Sequence, residues 1–126
     1  MPSPLPAKLN YRSLKLPEPK DLAVMRGDNK SYVYDTYDDT GATVDVTGAT
    51  ITFQVRPAVG GASTFSRTVG SGITIDGTIT YRFTVAIIPS NTSTLDPGIY
   101  KYGVEMVLSG NTTTVAHGNY YVVGEP

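Results

Sequence analysis

Leu95-Asp96-Pro97-Gly98-Ile99-Tyr100-Lys101-Tyr102 reads as a tight turn that runs straight into a β-strand. Pro97 presets φ and Gly98 accepts φ > 0, which together make a strong turn signal. After the turn, Tyr100, Tyr102, Val104, Met106 and Leu108 fall on one parity, so a strand would place them all on one face. The spacing Asp96-x-Gly98-x-Tyr100-x-Tyr102 resembles the D-x-G-x-Y-x-C lead-in to strand F of immunoglobulin-like sandwiches. In those sandwiches the tyrosine hydroxyl bonds backwards to the backbone and pins the corner. Asp96, Gly98 and Tyr100 are therefore expected to form a structural corner, with Tyr102 where the disulfide cysteine would stand.

The same alternation recurs on both sides of this stretch. Ile51, Phe53 and Val55 oppose Thr50, Thr52, Gln54 and Arg56, the pattern of a half-buried antiparallel strand over 49–56. Ile79, Tyr81, Phe83, Val85 and Ile87 oppose Thr80, Arg82, Thr84 and Ala86 over 79–87. Further strands are expected at 22–27, 31–37, 63–69, 73–76 and about 112–123. Gly60-Gly61 and Ser109-Gly110-Asn111 read as hairpin connections, and Pro89–Thr94 as a link with room for one helical turn. In the last strand the apolar parity switches between Val115 and Tyr120, which predicts a β-bulge at Gly118. The fold expected is all-β: an immunoglobulin-like antiparallel sandwich of seven to nine strands over 22–126. With no Cys, packing and hydrogen bonds alone must hold it together.

Residues 1–21 differ in kind. They hold Pro2, Pro4, Pro6, Pro17 and Pro19, five of the nine prolines in the chain, which favours extended backbone over helix. Leu5, Leu9, Tyr11, Leu14 and Leu16 are apolar, unlike the residues of a purely solvating tail. With Arg12 they form the candidate partner-binding set of an extended N-terminal arm that lies along another subunit. Lys8, Arg12, Lys15 and Lys20 against Glu18 make this arm basic, while the whole chain carries a net charge of −1. That balance argues against nucleic-acid binding by the chain as a whole. No apolar run approaches the roughly 20 residues of a membrane span, and the N-terminus shows no compact apolar segment of the kind that directs export.

Chemistry-bearing patterns are sparse. His117 is the single histidine, so a histidine metal site lacks ligands and a catalytic triad would rest on this one residue. No nucleophile elbow, P-loop or dinucleotide fingerprint is present, and neither an enzymatic activity nor a cofactor is expected. Asp35, Asp38, Asp39 and Asp45 gather within eleven residues. They could supply oxygens to calcium, but the spacing is not that of an EF-hand, and Asp in turns bonds its own backbone. Arg26-Gly27-Asp28 matches an integrin-binding tripeptide at a strand-to-turn junction, a match that is common by chance. Asn91-Thr92-Ser93 and Asn111-Thr112-Thr113 are glycosylation sequons, which matter only in a eukaryotic secretory context. Exposed tyrosines among the nine could stack on sugar rings, although most fall on the apolar parity of their strands.

One resemblance draws these pieces together. Met25-Arg26-Gly27-Asp28, then Asp38-Asp39-Thr40-Gly41, then Val44–Arg56 (VDVTGATITFQVR) resembles the opening of small tailed-phage virion proteins. The baseplate upper protein N-terminal domain is the best-named example of that family. Leu95-x-Pro97-Gly98-x-Tyr100-x-Tyr102 and Gly118–Val123 (GNYYVV) look like it as well, so the resemblance covers roughly 24–123. It implies an immunoglobulin-like domain serving as a non-enzymatic structural module of a virion, made in the host cytoplasm. Its partners would be other capsid or tail subunits and further copies of itself. The proline-rich arm and the lack of a following coiled coil depart from a baseplate adaptor. Capsid decoration (a cement protein), head or tail attachment, a baseplate adaptor and a carbohydrate- or receptor-binding module all stay open.

Overall fold

A computed structural model describes residues 19–58 and 63–124. The arm residues Leu5, Leu9, Tyr11, Arg12, Leu14 and Leu16, the Gly60-Gly61 connection and Glu125-Pro126 lie outside the described residues. The described residues are all-β, with eight strands and one short helix among them. In order these are β1 (Leu22–Met25), β2 (Lys30–Asp35), β3 (Thr50–Pro57), β4 (Phe65–Val69), β5 (Gly72–Ile75), β6 (Arg82–Ile87), α1 (Pro89–Thr92), β7 (Gly98–Leu108) and β8 (Asn111–Val123).

The strands join in the order β1-β8-β7-β3-β4-β5-β6-β2, a single mixed sheet that curls into a near-barrel. The expectation of purely antiparallel pairing needs correction at two places. β1 runs parallel to β8, with Leu22 opposite Tyr120 and Met25 opposite Val123. β4 meets β5 in parallel over Thr68–Gly72 and Val69–Ile73. The second junction is brief because the chain makes one tight loop and comes back alongside itself in the same direction, through Gly70 (φ 88°) and Gly72 (φ 107°), conformations that favour glycine.

The alternation noted in the sequence becomes the inside of the barrel. Ile51, Phe53, Val55, Phe83, Val85, Ile87, Tyr102, Val104 and Met106 are all buried in one core with Val24, Tyr32, Ile73, Tyr120 and Val122. The β7–β8 hairpin turns on Ser109 (φ 53°) and Gly110 (φ 81°), two positive-φ residues whose twist suits adjoining antiparallel strands. The expected strand over 79–87 is shorter, because Asp76 Oδ1 accepts the amides of Thr78 (2.8 Å) and Ile79 (2.8 Å) and folds 76–79 into a turn.

The bulge predicted at Gly118 lies instead at Val115. Val104 pairs with Ala116 and Glu105 with Thr114, so Val115 is the extra residue. Gly118 serves another purpose: a Cβ there would run into the Lys20 backbone carbonyl. The glycine lets the incoming chain press against β8.

Candidate functional site

The distinctive place in this fold is the seam where the sheet fails to close. β1 and β2 are the two ends of the strand order. A turn with Asp28 N–H donating to Met25 O (3.0 Å) joins them, and they face each other across the seam in opposite directions. No ladder links them. The span is crossed from the core side by Tyr32, whose hydroxyl donates to Ala23 O at 2.8 Å. A gap that needs a whole tyrosine side chain to bridge it is wider than the ~4.8 Å spacing of paired strands. It opens as a cleft of about 720 Å³ lined by both edges, with Tyr34, Tyr102 and Val115 among its walls.

Three tyrosines, Tyr32, Tyr34 and Tyr102, line the cleft, and Tyr120 is buried behind them. Tyr120 and Tyr32 have hydroxyls 3.2 Å apart; Tyr32 donates to Ala23, so Tyr120 donates to Tyr32. Tyr102 donates to Lys20 O at 2.6 Å. The Tyr34 hydroxyl oxygen is buried with no hydrogen-bond partner among the described residues. Phe53 stacks on Tyr102 (5.6 Å) and meets Tyr120 edge-on (5.9 Å), which fixes the rings. Burial pushes Tyr34 and Tyr120 far above the usual phenol range, and raises Tyr32 and Tyr102 as well. These phenols stay neutral and donate hydrogen bonds; burial makes them poor general bases.

The last residues of the expected arm belong to this site. Lys20 N–H donates to His117 O at 2.9 Å. Asp21 Oδ1 accepts the Asn119 amide at 3.1 Å. The chain is therefore held to its own body at Lys20 and Asp21. His117 stands opposite Gly103 in the β7–β8 ladder, and its carbonyl serves as the Lys20 acceptor.

The remaining sequence candidates settle into structural roles. Tyr100 hydroxyl donates to Asp96 O at 2.8 Å, and Gly98 opens β7 directly after it. Asp35 holds Arg82 through two bonds, Nε to Oδ1 at 2.7 Å and Nη2 to Oδ2 at 3.1 Å. The Arg82 hydrogen bond keeps the Asp35 carboxyl below the usual carboxylate range. Asp38 accepts the Thr40 hydroxyl (2.6 Å) and the amides of Thr40 (2.9 Å) and Ala42 (3.0 Å), and these bonds lower it, the Thr40 hydroxyl most. Asp45 accepts the Thr47 amide at 2.8 Å and is lowered by its bonds to Thr47. Asp35 thus serves a cross-strand pair and Asp38 and Asp45 their own turns, and among the described residues no three His, Cys, Asp or Glu side chains form a metal-sized group.

Arg26 of the tripeptide turns its guanidinium to Leu95 O at 3.2 Å, and Gly27 N–H donates to the fully buried Thr92 hydroxyl at 2.9 Å. The tripeptide therefore braces α1 against the start of β2. In the first sequon the Asn91 side-chain oxygen accepts the Ile88 amide at 2.9 Å. Among the aromatics, Tyr37 is exposed and sits 6.0 Å from Tyr81.

One surface escaped sequence reasoning. On the outer face, Ala23, Tyr121 and Ile99 stand in one cross-strand row, and Met25 and Val123 in the next. Ile99 is 54% and Val123 46% exposed, forming an apolar strip at one end of the β1-β8-β7 face. The inward parity of Tyr100 and Tyr102 already implied it, since Ile99 must then face out. Among known proteins, no family model matches the chain and no curated sequence shows significant similarity.

Proposed function

We propose that this chain is a non-enzymatic structural protein of a tailed-phage virion, a capsid decoration or head/tail attachment subunit that docks on its neighbours through residues 1–18. The body is read as an immunoglobulin-like sandwich, with β1-β8-β7-β3-β4 as one layer and β5-β6-β2 as the other. The short β4–β5 parallel contact would then be the place where the two layers touch. The tyrosine corner from Tyr100 to Asp96 supports that reading.

The observation that carries the functional reading is the clamp at Lys20. Bonds to His117 and from Tyr102 fix where the arm leaves the body. An arm leaving from a fixed point can add contact area to an interface that a small domain alone would leave modest. The apolar strip of Ile99, Tyr121, Val123 and Met25 adds a surface that burial would favour. Copies spaced regularly on a shell or tail would reinforce weak attachments.

The test is a deletion of residues 1–18 that keeps Lys20 and Asp21. The shortened protein should remain folded by circular dichroism yet be missing from purified particles, where electron microscopy locates the full chain. Normal incorporation of the shortened protein defeats the proposal. A second reading, a sugar-binding module, has the exposed Tyr37 beside Tyr81 in its favour. Selective glycan binding that disappears in Tyr37→Ala would promote it.

A further inference from the structure

We infer that the open edge of β2 receives residues 7–16 of a second copy's leader as an added strand. This rests on the docking role proposed for the leader and names its receptor. The register supplies the first reason. Thr36 N–H donates to Tyr81 O at 2.9 Å, and the β2–β6 pairing continues in step with that bond through Tyr34, Tyr32 and Lys30. In an antiparallel ladder the intervening residues point their backbone groups the other way. Ser31, Val33 and Asp35 therefore turn N–H and C=O towards the seam, where β2 ends the strand order. An edge of this kind is a template for another strand.

The cleft beside it is wider than one strand spacing and walled by β1 opposite. Tyr32 and Tyr34 of β2 are among its lining residues, with Ser31 and Val33 beside them.

The leader supplies the second reason. Ala7–Leu16 is a ten-residue window free of proline between Pro6 and Pro17, so every residue in it can donate to a ladder. Its apolar pairs, Leu9 with Tyr11 and Leu14 with Leu16, each have the spacing that puts two side chains on one face of a strand.

Direction selects the second copy. β1 and β2 are antiparallel, with Ala23 held to Tyr32, so the chain before β1 heads towards the Asp35 end of β2. At Lys20 it has already reached Tyr102 and His117. For the same chain to reach Ser31 and Val33, its leader would have to double back alongside itself. A leader arriving from a neighbour meets the edge without that reversal.

The experiment is sedimentation of the purified full chain, compared with two full-length variants and with a synthetic Ala7–Leu16 peptide added. Leu14→Asp/Leu16→Asp leaves the described body untouched. Val33→Pro removes one outward amide from the edge. The full chain should self-associate. The leader variant should sediment as monomer, Val33→Pro should weaken association by roughly tenfold or more, and excess peptide should dissolve the oligomer. Circular dichroism checks that each variant retains its strands; where Val33→Pro does not, the leader variant and the peptide decide. A monomeric full chain, or an oligomer untouched by the leader variant and the peptide, overturns the inference. A monomeric full chain whose melting temperature falls in the leader variant overturns it in favour of the chain's own leader filling its own edge. Self-association is read on isolated protein, so it can fail while particle incorporation succeeds, or the reverse.

Discussion

Tyr32 and Tyr34 lie two residues apart on the inward side of β2, and removing the hydroxyl from each should change stability in opposite directions. The Tyr32 hydroxyl donates to Ala23 O (2.8 Å) and accepts from Tyr120 (3.2 Å). Tyr32→Phe removes both bonds. Ala23 is exposed, so water can satisfy its carbonyl; Tyr120 is fully buried, so its hydroxyl is orphaned. A lost hydrogen bond of about 1 kcal/mol plus an unsatisfied buried donor gives a net loss of about 2 kcal/mol. The Tyr34 hydroxyl is buried and unpartnered among the described residues. Tyr34→Phe keeps the stacking on Phe83 at 5.2 Å and sheds that unmet group. The gain should be about 1 kcal/mol, at the low end for an unsatisfied buried polar group because the Tyr102 hydroxyl is its neighbour. The two variants should therefore differ by about 3 kcal/mol, roughly 10 °C in melting temperature for a domain of this size. Urea melts with an unchanged slope would isolate stability from changes in the unfolded state. The double variant Tyr32→Phe/Tyr120→Phe should cost less than the sum of its singles, because no hydroxyl is then left orphaned. Tyr34→Phe proving destabilising, or Tyr32→Phe proving neutral, would refute this account of the seam.

Gly118→Ala should cost about 2 kcal/mol or more, because its Cβ meets the Lys20 backbone; hydrogen exchange at the Lys20 amide should speed up with it. Thr92→Val, nearly isosteric, should cost about 1–3 kcal/mol in a thermal melt, since it strands the Gly27 amide inside the fold. Tyr100→Phe should lose about 1 kcal/mol by removing the bond to Asp96 O, again read by melting. Alkali should unfold the protein early. Burial raises the folded pKa of Tyr32, Tyr34, Tyr102 and Tyr120 above the ordinary value of 10.0. Above pH 10 the unfolded chain then binds fewer protons than the folded one, so stability is full below that pH and falls as pH rises. Each tyrosine still protonated in the fold contributes about 1.4 kcal/mol of loss per pH unit. Urea midpoints at pH 9, 10 and 11 would show the fall, and a flat profile would contradict it.

Period-two alternation made the all-β class, the inward parity and the strand positions legible before any coordinates. Ile51, Phe53 and Val55 are wholly buried, as are Phe83 and Val85, because alternate side chains of a strand must share a face. Local turn chemistry was equally legible: Asp38 and Asp45 bond within their own turns, over separations of two to four residues. Local spacing carries no information about which strand lies beside which. The parallel β1–β8 and β4–β5 pairings, the bulge at Val115 rather than Gly118 and the outer apolar strip all follow from register between distant segments. The seam is the clearest case. Parity put Tyr102 and Tyr120 on the apolar side of their strands, but Tyr102 reaches Lys20 across 82 positions and Tyr32 meets Tyr120 across 88. Those contacts exist because a curled sheet brings its two ends towards each other without pairing them, a property of the whole curled sheet that no window of sequence contains.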